Sequence, residues 1–189
     1  LTVREVVRAL GADAPAPTEV LDLGCGTGAA GAAWALSARP SAAVRGVDRS
    51  GWAVDEARWT LRRLGLRGEA RVGGAEQARL PGRGGAVLAA FTLNELPDAA
   101  RERLLERLLA ARGVATLVVE PIAVTVSPWW LPWAARVAAA GGRADEWRFR
   151  VPLPDLVARL DRAARLDHRQ LTARSLWLPP SAVRPSRPR

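Results

Sequence analysis

Lysine, methionine and tyrosine are all missing from the 189 residues of this chain. Cysteine occurs once, as Cys25, and histidine once, as His168. A lone cysteine excludes an internal disulfide framework and a cysteine-based zinc centre, and a reducing cytoplasm is the simplest compartment for it. No metal is expected. There is no run of eighteen apolar residues, so no transmembrane helix and no membrane partner are expected. No charged-then-apolar leader opens the sequence. The chain begins at Leu1 and contains no methionine, so it is expected to continue from an upstream segment. Because lysine is absent, all 28 basic side chains are arginine; against 19 acids they give a net charge of +9. The planar fork of arginine suits phosphate oxygens, which makes a polyanion such as RNA one class of partner. The arginines are scattered along the sequence without an RNA-binding module signature, so an ordinary solvated surface stands equally beside that reading.

The most informative stretch is Val20-Leu21-Asp22-Leu23-Gly24-Cys25-Gly26-Thr27-Gly28. A short apolar run ends in an acid and opens into alternating glycines. It reads as a buried strand, a tight turn and a helix from Ala29. A second apolar run, Ala43–Val47, ends in Asp48. A glycine loop followed by an acid at the tip of the next strand is the geometry for gripping a nucleoside, because the loop backbone approaches closely and the carboxylate accepts both ribose hydroxyls. Gly24, Gly26 and Ala29 satisfy a dinucleotide pattern. Asp22, Gly24, Gly26 and Gly28 satisfy the acid-x-G-x-G-x-G pattern of S-adenosylmethionine sites. Asp22 decides for the second, since a carboxylate repels a pyrophosphate and attracts an ammonium. The plain alternative is a turn that needs glycine only for its backbone angles.

The rest of the chain alternates. Val3, Val6, Val7 and Leu10 share a helical face over residues 2–10. After a Pro-containing linker at 12–18, strands are expected at Glu19–Leu23, Ala43–Val47, near Glu69–Val72, at Ala86–Phe91 and at Val114–Glu120. Helices are expected at Ala29–Ser37, at Gly51–Leu64 behind a Ser50 cap, and after an Asp98 cap. Such alternation predicts an α/β fold with a mostly parallel sheet and helices on both faces. The run 121–150 interrupts the rhythm with Pro128, Pro132, Trp129, Trp130, Trp133 and a helix near 131–140. An extended segment at Glu146–Val151, a helix at Pro154–Ala164 and a final extended segment at Arg169–Leu178 follow. The expected organisation is an N-terminal helix and linker at 1–18, one domain at 19–178 with a tryptophan-rich insert at about 121–145, and a disordered basic tail at 179–189.

Over residues 19–178 this order, with Asp48 and the segment Phe91-Thr-Leu-Asn-Glu-Leu-Pro97 after the fourth strand, resembles the class I S-adenosylmethionine-dependent methyltransferases, which have a Rossmann-like fold. More narrowly, Leu93–Pro97, the Arg- and Leu-rich helix after it, Val118–Pro121 and Arg148–Pro152 look like methyltransferase-like assembly factors of the small ribosomal subunit. Two departures stand out: the cysteine cluster that members of that group often carry is missing, and the Trp129–Trp133 stretch is no part of its pattern. The resemblance implies that Asp22 and the Gly24–Gly28 loop, Cys25 included, hold the methionine end of the cofactor. It implies that Asp48, with Arg49 beside it, takes the ribose. An acid usually meets the adenine amine after the third strand. Here that region reads Val72-Gly73-Gly74-Ala75-Glu76, so either Glu76 substitutes or Ala75 offers its backbone N–H. Phe91 ends the fourth strand on the ligand side of the sheet.

Asn94 and Glu95 are the candidates for orienting substrate, with a backbone-bonding role as the plainer reading of Glu95. Glu120 ends the fifth strand on the same side. Trp129, Trp130 and Trp133 form either a lid or stacking surface for substrate, or part of the core. His168 reads as a surface or packing residue, and nothing in sequence near Cys25 activates it as a nucleophile. The Asn-Pro-Pro-aromatic signature of amino-directed nucleic-acid enzymes is absent. The expected activity is S-adenosylmethionine-dependent methyl transfer to an acceptor that is RNA, ribosome-linked or a small molecule. The alternative is a non-catalytic methyltransferase-like factor in ribosome assembly.

Overall fold

A computed structural model describes residues 1–11, 16–38, 42–123, 127–150, 152–166 and 170–180. His168, part of the 12–18 linker and the tail from 181 onward lie outside the described residues.

Helix α1 (Thr2–Leu10) buries the expected face of Val3, Val6, Val7 and Leu10 and packs on α2. The alternation then runs β1 (Glu19–Leu23), α2 (Ala29–Ser37), β2 (Ala43–Asp48), α3 (Gly51–Arg63), β3 (Gly68–Val72), β4 (Ala86–Ala90), α4 (Asp98–Ala110), β5 (Ala115–Glu120), α5 (Trp130–Ala139), β6 (Arg143–Phe149), α6 (Asp155–Ala163) and β7 (Leu171–Leu178). Short 3₁₀ turns at Ala75–Gln77 and Leu93–Glu95 follow β3 and β4. One seven-stranded sheet has the order β3-β2-β1-β4-β5-β7-β6. The first five strands are parallel, and β7 inserts antiparallel between β5 and β6.

Burial follows position in the sheet. All of β5 is buried, as a central strand covered on both faces must be, whereas the edge strand β6 alternates half-buried and exposed. Residues of β1 divide between two cores. Val20 packs with α1, α2 and Trp34 on one face, while Leu21 and Leu23 pack with Leu104, Leu105, Leu108 and the tryptophans of the 129–133 region on the other.

Some expected details shift. Pro97 rather than Asp98 occupies the cap position of α4, and Asp98, already helical, turns its carboxylate to Arg101. The strand expected at 146–151 begins earlier, because its ladder with β7 runs from Arg143 opposite Trp177 to Phe149 opposite Leu171. Strand β4 stops at Ala90, because Phe91 adopts a φ of +58°. Within the 121–145 stretch, α5 packs on β6 and β7. No helix among the described residues is long and apolar enough to cross a membrane.

Candidate functional site

The C-terminal ends of parallel strands β1 to β4 converge on a cleft of about 330 Å³. That volume lies in the range of small-molecule sites, and the place is the expected one for an open α/β sheet. Its wall is formed by Gly24 after β1, Val47 to Ser50 at the end of β2 and just beyond it, Gly73 and Ala75 after β3, and Phe91, Thr92, Glu95 and Leu96 after β4.

The glycine loop owes its shape to two demands. Gly24 sits at φ +63°, and a Cβ there would fall 2.3 Å from Thr92 Cγ2. At Gly26, φ +50°, a Cβ would meet nothing within 4 Å. The backbone at Gly26 therefore faces open space that a ligand can enter. The Asp48 carboxylate ties the loop to the start of α3: Oδ2 accepts from the Gly26 N–H at 2.9 Å and Oδ1 from the Ser50 N–H at 2.9 Å. Each oxygen keeps further acceptor capacity, and Asp48 lines the cleft. Ser50 caps α3 by accepting from the Ala53 N–H at 3.3 Å.

Asp22 lies beneath the loop and is not on the cleft wall. It is 1% exposed; Oδ2 accepts from the Gly31 N–H at 2.8 Å, while Oδ1 has no partner. Burial pushes its pKa up to about 7, against the Gly31 hydrogen bond and with a further push from Asp48. A raised carboxyl pKa means that the folded chain holds a proton which the unfolded chain releases. The associated stability is complete below the unfolded value near 3.8 and is lost as pH rises through about 7. Melting temperature measured from pH 4 to 8 is therefore expected to fall across that window, and Asp22→Asn is expected to flatten the slope. An unchanged slope in the variant would contradict this.

Cys25 is buried, donates weakly to the Gly26 carbonyl at 3.7 Å and packs among Val54, Ala57 and Ala70. Burial, helped by Asp22 and Asp48, pushes its thiol up to about 12, so the thiolate needed for nucleophilic chemistry does not form near neutrality. Its side chain is not on the cleft wall. After β3, Ala75 lines the cleft, whereas Glu76 pairs with Arg49 at 3.7 Å instead of lining it. Arg49 itself is on the wall. Phe91 is half exposed and held in a left-handed conformation uncommon for an aromatic residue, while its N–H donates to Val119 O at 2.8 Å.

The residues at and after the ends of β4 and β5 form a polar network around buried Glu120. Glu120 is completely buried; Oε1 accepts from the Leu93 N–H at 3.0 Å and Oε2 from the Asn94 amide at 3.1 Å. Asn94 Oδ1 in turn accepts from Ser127 Oγ at 3.0 Å and from the Trp129 indole at 2.9 Å. The Arg174 guanidinium lies 4.2 Å from the Trp130 ring centre, and Arg101 lies 5.3 Å from that of Trp129. Trp133 donates to Glu102 at 2.9 Å. Trp129, Trp130 and Trp133 are all buried, and neither they nor Glu120 line the cleft. Of the two readings of the tryptophans, lid and core, the structure gives the core, and the cleft-facing Glu120 is corrected: it turns to the Leu93 N–H and the Asn94 amide, while the Trp129 indole donates to Asn94. Of the two residues expected to orient substrate, Glu95 is on the wall and Asn94 is engaged by the network. Thr92 was missed. Its hydroxyl lies within reach of Leu23 O at 3.0 Å and Ala90 O at 3.1 Å, pinning β4 to the glycine loop. Only its place at the strand end signalled it.

The cleft, the open backbone at Gly26 and the Asp48 clamp fit a nucleoside cofactor. Residues 20–112 match a family described as a methyltransferase domain. Those residues form an S-adenosylmethionine-dependent methyltransferase domain. No curated protein matches this methyltransferase in sequence. Its fold is shared with solved structures. Magnesium protoporphyrin IX methyltransferase from Synechocystis PCC 6803, with bound S-adenosylhomocysteine, aligns at 18% identity and TM-score 0.61 over 93% of this chain and 80% of that one. A putative RNA methyltransferase from Pyrococcus horikoshii aligns at 15% identity and TM-score 0.62 over 96% and 82%. The YcgJ protein from Bacillus subtilis aligns at 13% identity and TM-score 0.59 over 93% and 95%. The family match ends before β5, so Glu120 lies outside it while its partners Leu93 and Asn94 lie within.

Proposed function

We propose that this methyltransferase moves a methyl group from S-adenosylmethionine to a phosphate-bearing acceptor, RNA in preference to a small molecule. The observation that carries the transfer is the single cleft in which the glycine loop and Asp48 face Phe91, Glu95 and Leu96. When bound, the cofactor supplies a methyl carbon activated by the adjacent sulfonium. Asp48 would hold the ribose hydroxyls, the Gly24–Gly28 loop the methionine end, and the Ala75 backbone the adenine. Phe91 and Leu96 would shield the reacting atoms from water. Glu95, an exposed carboxylate on the wall, would orient the acceptor or take its proton. Alignment dominates such in-line displacement, so a fixed wall matters more than a strong base.

RNA as acceptor rests on the net charge of +9. The Leu93–Pro97 segment supports the small ribosomal subunit as its location, with co-sedimentation that weakens as salt rises. The test pairs calorimetric titration of S-adenosylmethionine and S-adenosylhomocysteine with transfer of labelled methyl to fractions of a cell extract. Micromolar binding and label in the RNA fraction are expected, with Glu95→Gln lowering transfer and leaving binding intact. Failure to bind either ligand would overturn the proposal. Binding without labelling of any fraction would favour the non-catalytic assembly role.

A further inference from the structure

We propose that the outer face of α3 docks single-stranded nucleic acid beside the cleft, with Trp52 and Trp59 as its stacking platform. The inference names the acceptor surface for the transfer proposed above and rests on that reading for its use.

Helix α3 packs inward through Ala53, Val54, Ala57 and Leu61. Its two tryptophans take no part in that packing: Trp52 is 69% exposed and Trp59 55%. They are seven residues apart, so they lie within about 20° of one another around the helix and about 10.5 Å apart along it. Neither indole meets another ring or a hydrogen-bond partner among the described residues. A single exposed indole needs no explanation; two on one stripe beside a ligand cleft mark a contact surface.

Position and charge select the partner. The stripe begins where the cleft ends, since Arg49 and Ser50 line the cleft and Trp52 follows in the first turn of α3. At its far end Arg62, Arg63 and Arg67 are exposed, with no acidic partner among the described residues. The nearby acid Asp55 is already paired with Arg58 at 2.9 Å. Glu56 lies between the two indoles on the stripe and keeps phosphate away from its centre, so that the strand's backbone would follow the arginines and its bases would meet the rings. Three arginines within six residues thus gather at the end of one helix. Unpaired guanidinium groups attract phosphates, and indole faces stack on bases of any identity. A duplex hides its base faces, and a spacing of about 10.5 Å exceeds one stacked step of about 3.4 Å. The platform therefore suits two bases of an extended single strand.

The test is the fluorescence anisotropy of a labelled ten-nucleotide oligouridylate titrated with the whole chain at low salt, with heparin as a polyanion without bases. Trp52→Ala and Trp59→Ala are each expected to weaken oligouridylate binding by about tenfold, leaving heparin binding unchanged. Phe at either position is expected to restore most of the affinity. Arg62→Gln with Arg63→Gln is expected to weaken both ligands and make the salt dependence shallower. Wild-type affinity in the double tryptophan-to-alanine variant, or no binding of oligouridylate by the wild type, would overturn the inference. Calorimetry with S-adenosylmethionine on the same variants separates it from the parent reading. Cofactor binding without oligouridylate binding removes the platform and leaves methyl transfer standing. Oligouridylate binding that depends on the indoles, in a chain that binds no cofactor, keeps the platform and removes the transfer.

Discussion

Asp48→Ala is expected to weaken S-adenosylmethionine binding by at least about 100-fold, from the loss of two charge-assisted hydrogen bonds of about 1.5–3 kcal/mol each. The carboxylate stands on the cleft wall and clamps the Gly26 and Ser50 N–H groups. The substitution thus removes the proposed ribose acceptor and releases the loop that would cradle the rest of the cofactor. Asp48→Asn separates the two effects. Its amide oxygen still accepts one backbone N–H, so the loop stays near its place, but one acceptor becomes a donor and the charge is gone. An intermediate loss is expected for it. Calorimetric titration of wild type and both variants checks the order, alongside circular dichroism to show that the fold persists. Equal affinity in all three would remove Asp48 from the binding site.

Glu120→Ala is expected to destabilise the domain by about 3–5 kcal/mol, the usual cost of leaving the partner of a buried charge uncompensated. Glu120 and Arg174 face each other across the β5–β7 ladder, and both are buried. Without the carboxylate, the Leu93 N–H and the Asn94 amide lose their acceptor, and Arg174 keeps the face of Trp130 and Glu146 opposite it on β6. For a domain of this size, the shift corresponds to a melting temperature lower by roughly 6–20 °C. Glu120→Gln is expected to cost less, because an amide oxygen still accepts from Leu93. Burial raises the Glu120 pKa to about 7, against the pull of its hydrogen bonds and of Arg174 and Arg101. A raised pKa places full stability at low pH and its loss as pH rises through about 7, so wild type is expected to lie close to Glu120→Gln, which does not titrate, at pH 5.5 and to fall below it at pH 8. Thermal unfolding at pH 5.5 and 8 checks both points, and a Glu120→Ala variant as stable as wild type would refute the network. The same change is expected to loosen the Thr92–Leu96 wall and lower cofactor affinity.

By itself the sequence determined the parallel half of the sheet and the cofactor loop. Those features are local. Alternating apolar runs, a glycine triplet and an acid at each strand end are written within a few residues of the atoms they place, and β1, β2 and the loop stand where that spacing puts them. The tertiary structure alone decided which way the later polar and aromatic side chains face. Glu120 sits at a strand end, as Asp48 does, yet it turns to Leu93 and Asn94, partners 27 and 26 residues away in the chain. Trp129 answers Asn94 across 35 residues, and β7 enters between β5 and β6 against the direction of both neighbours. No local pattern encodes such pairings. A strand end, an indole or an arginine reads the same in sequence whether it faces a cleft, a core or solvent, and only the packing of distant elements fixes which environment it meets.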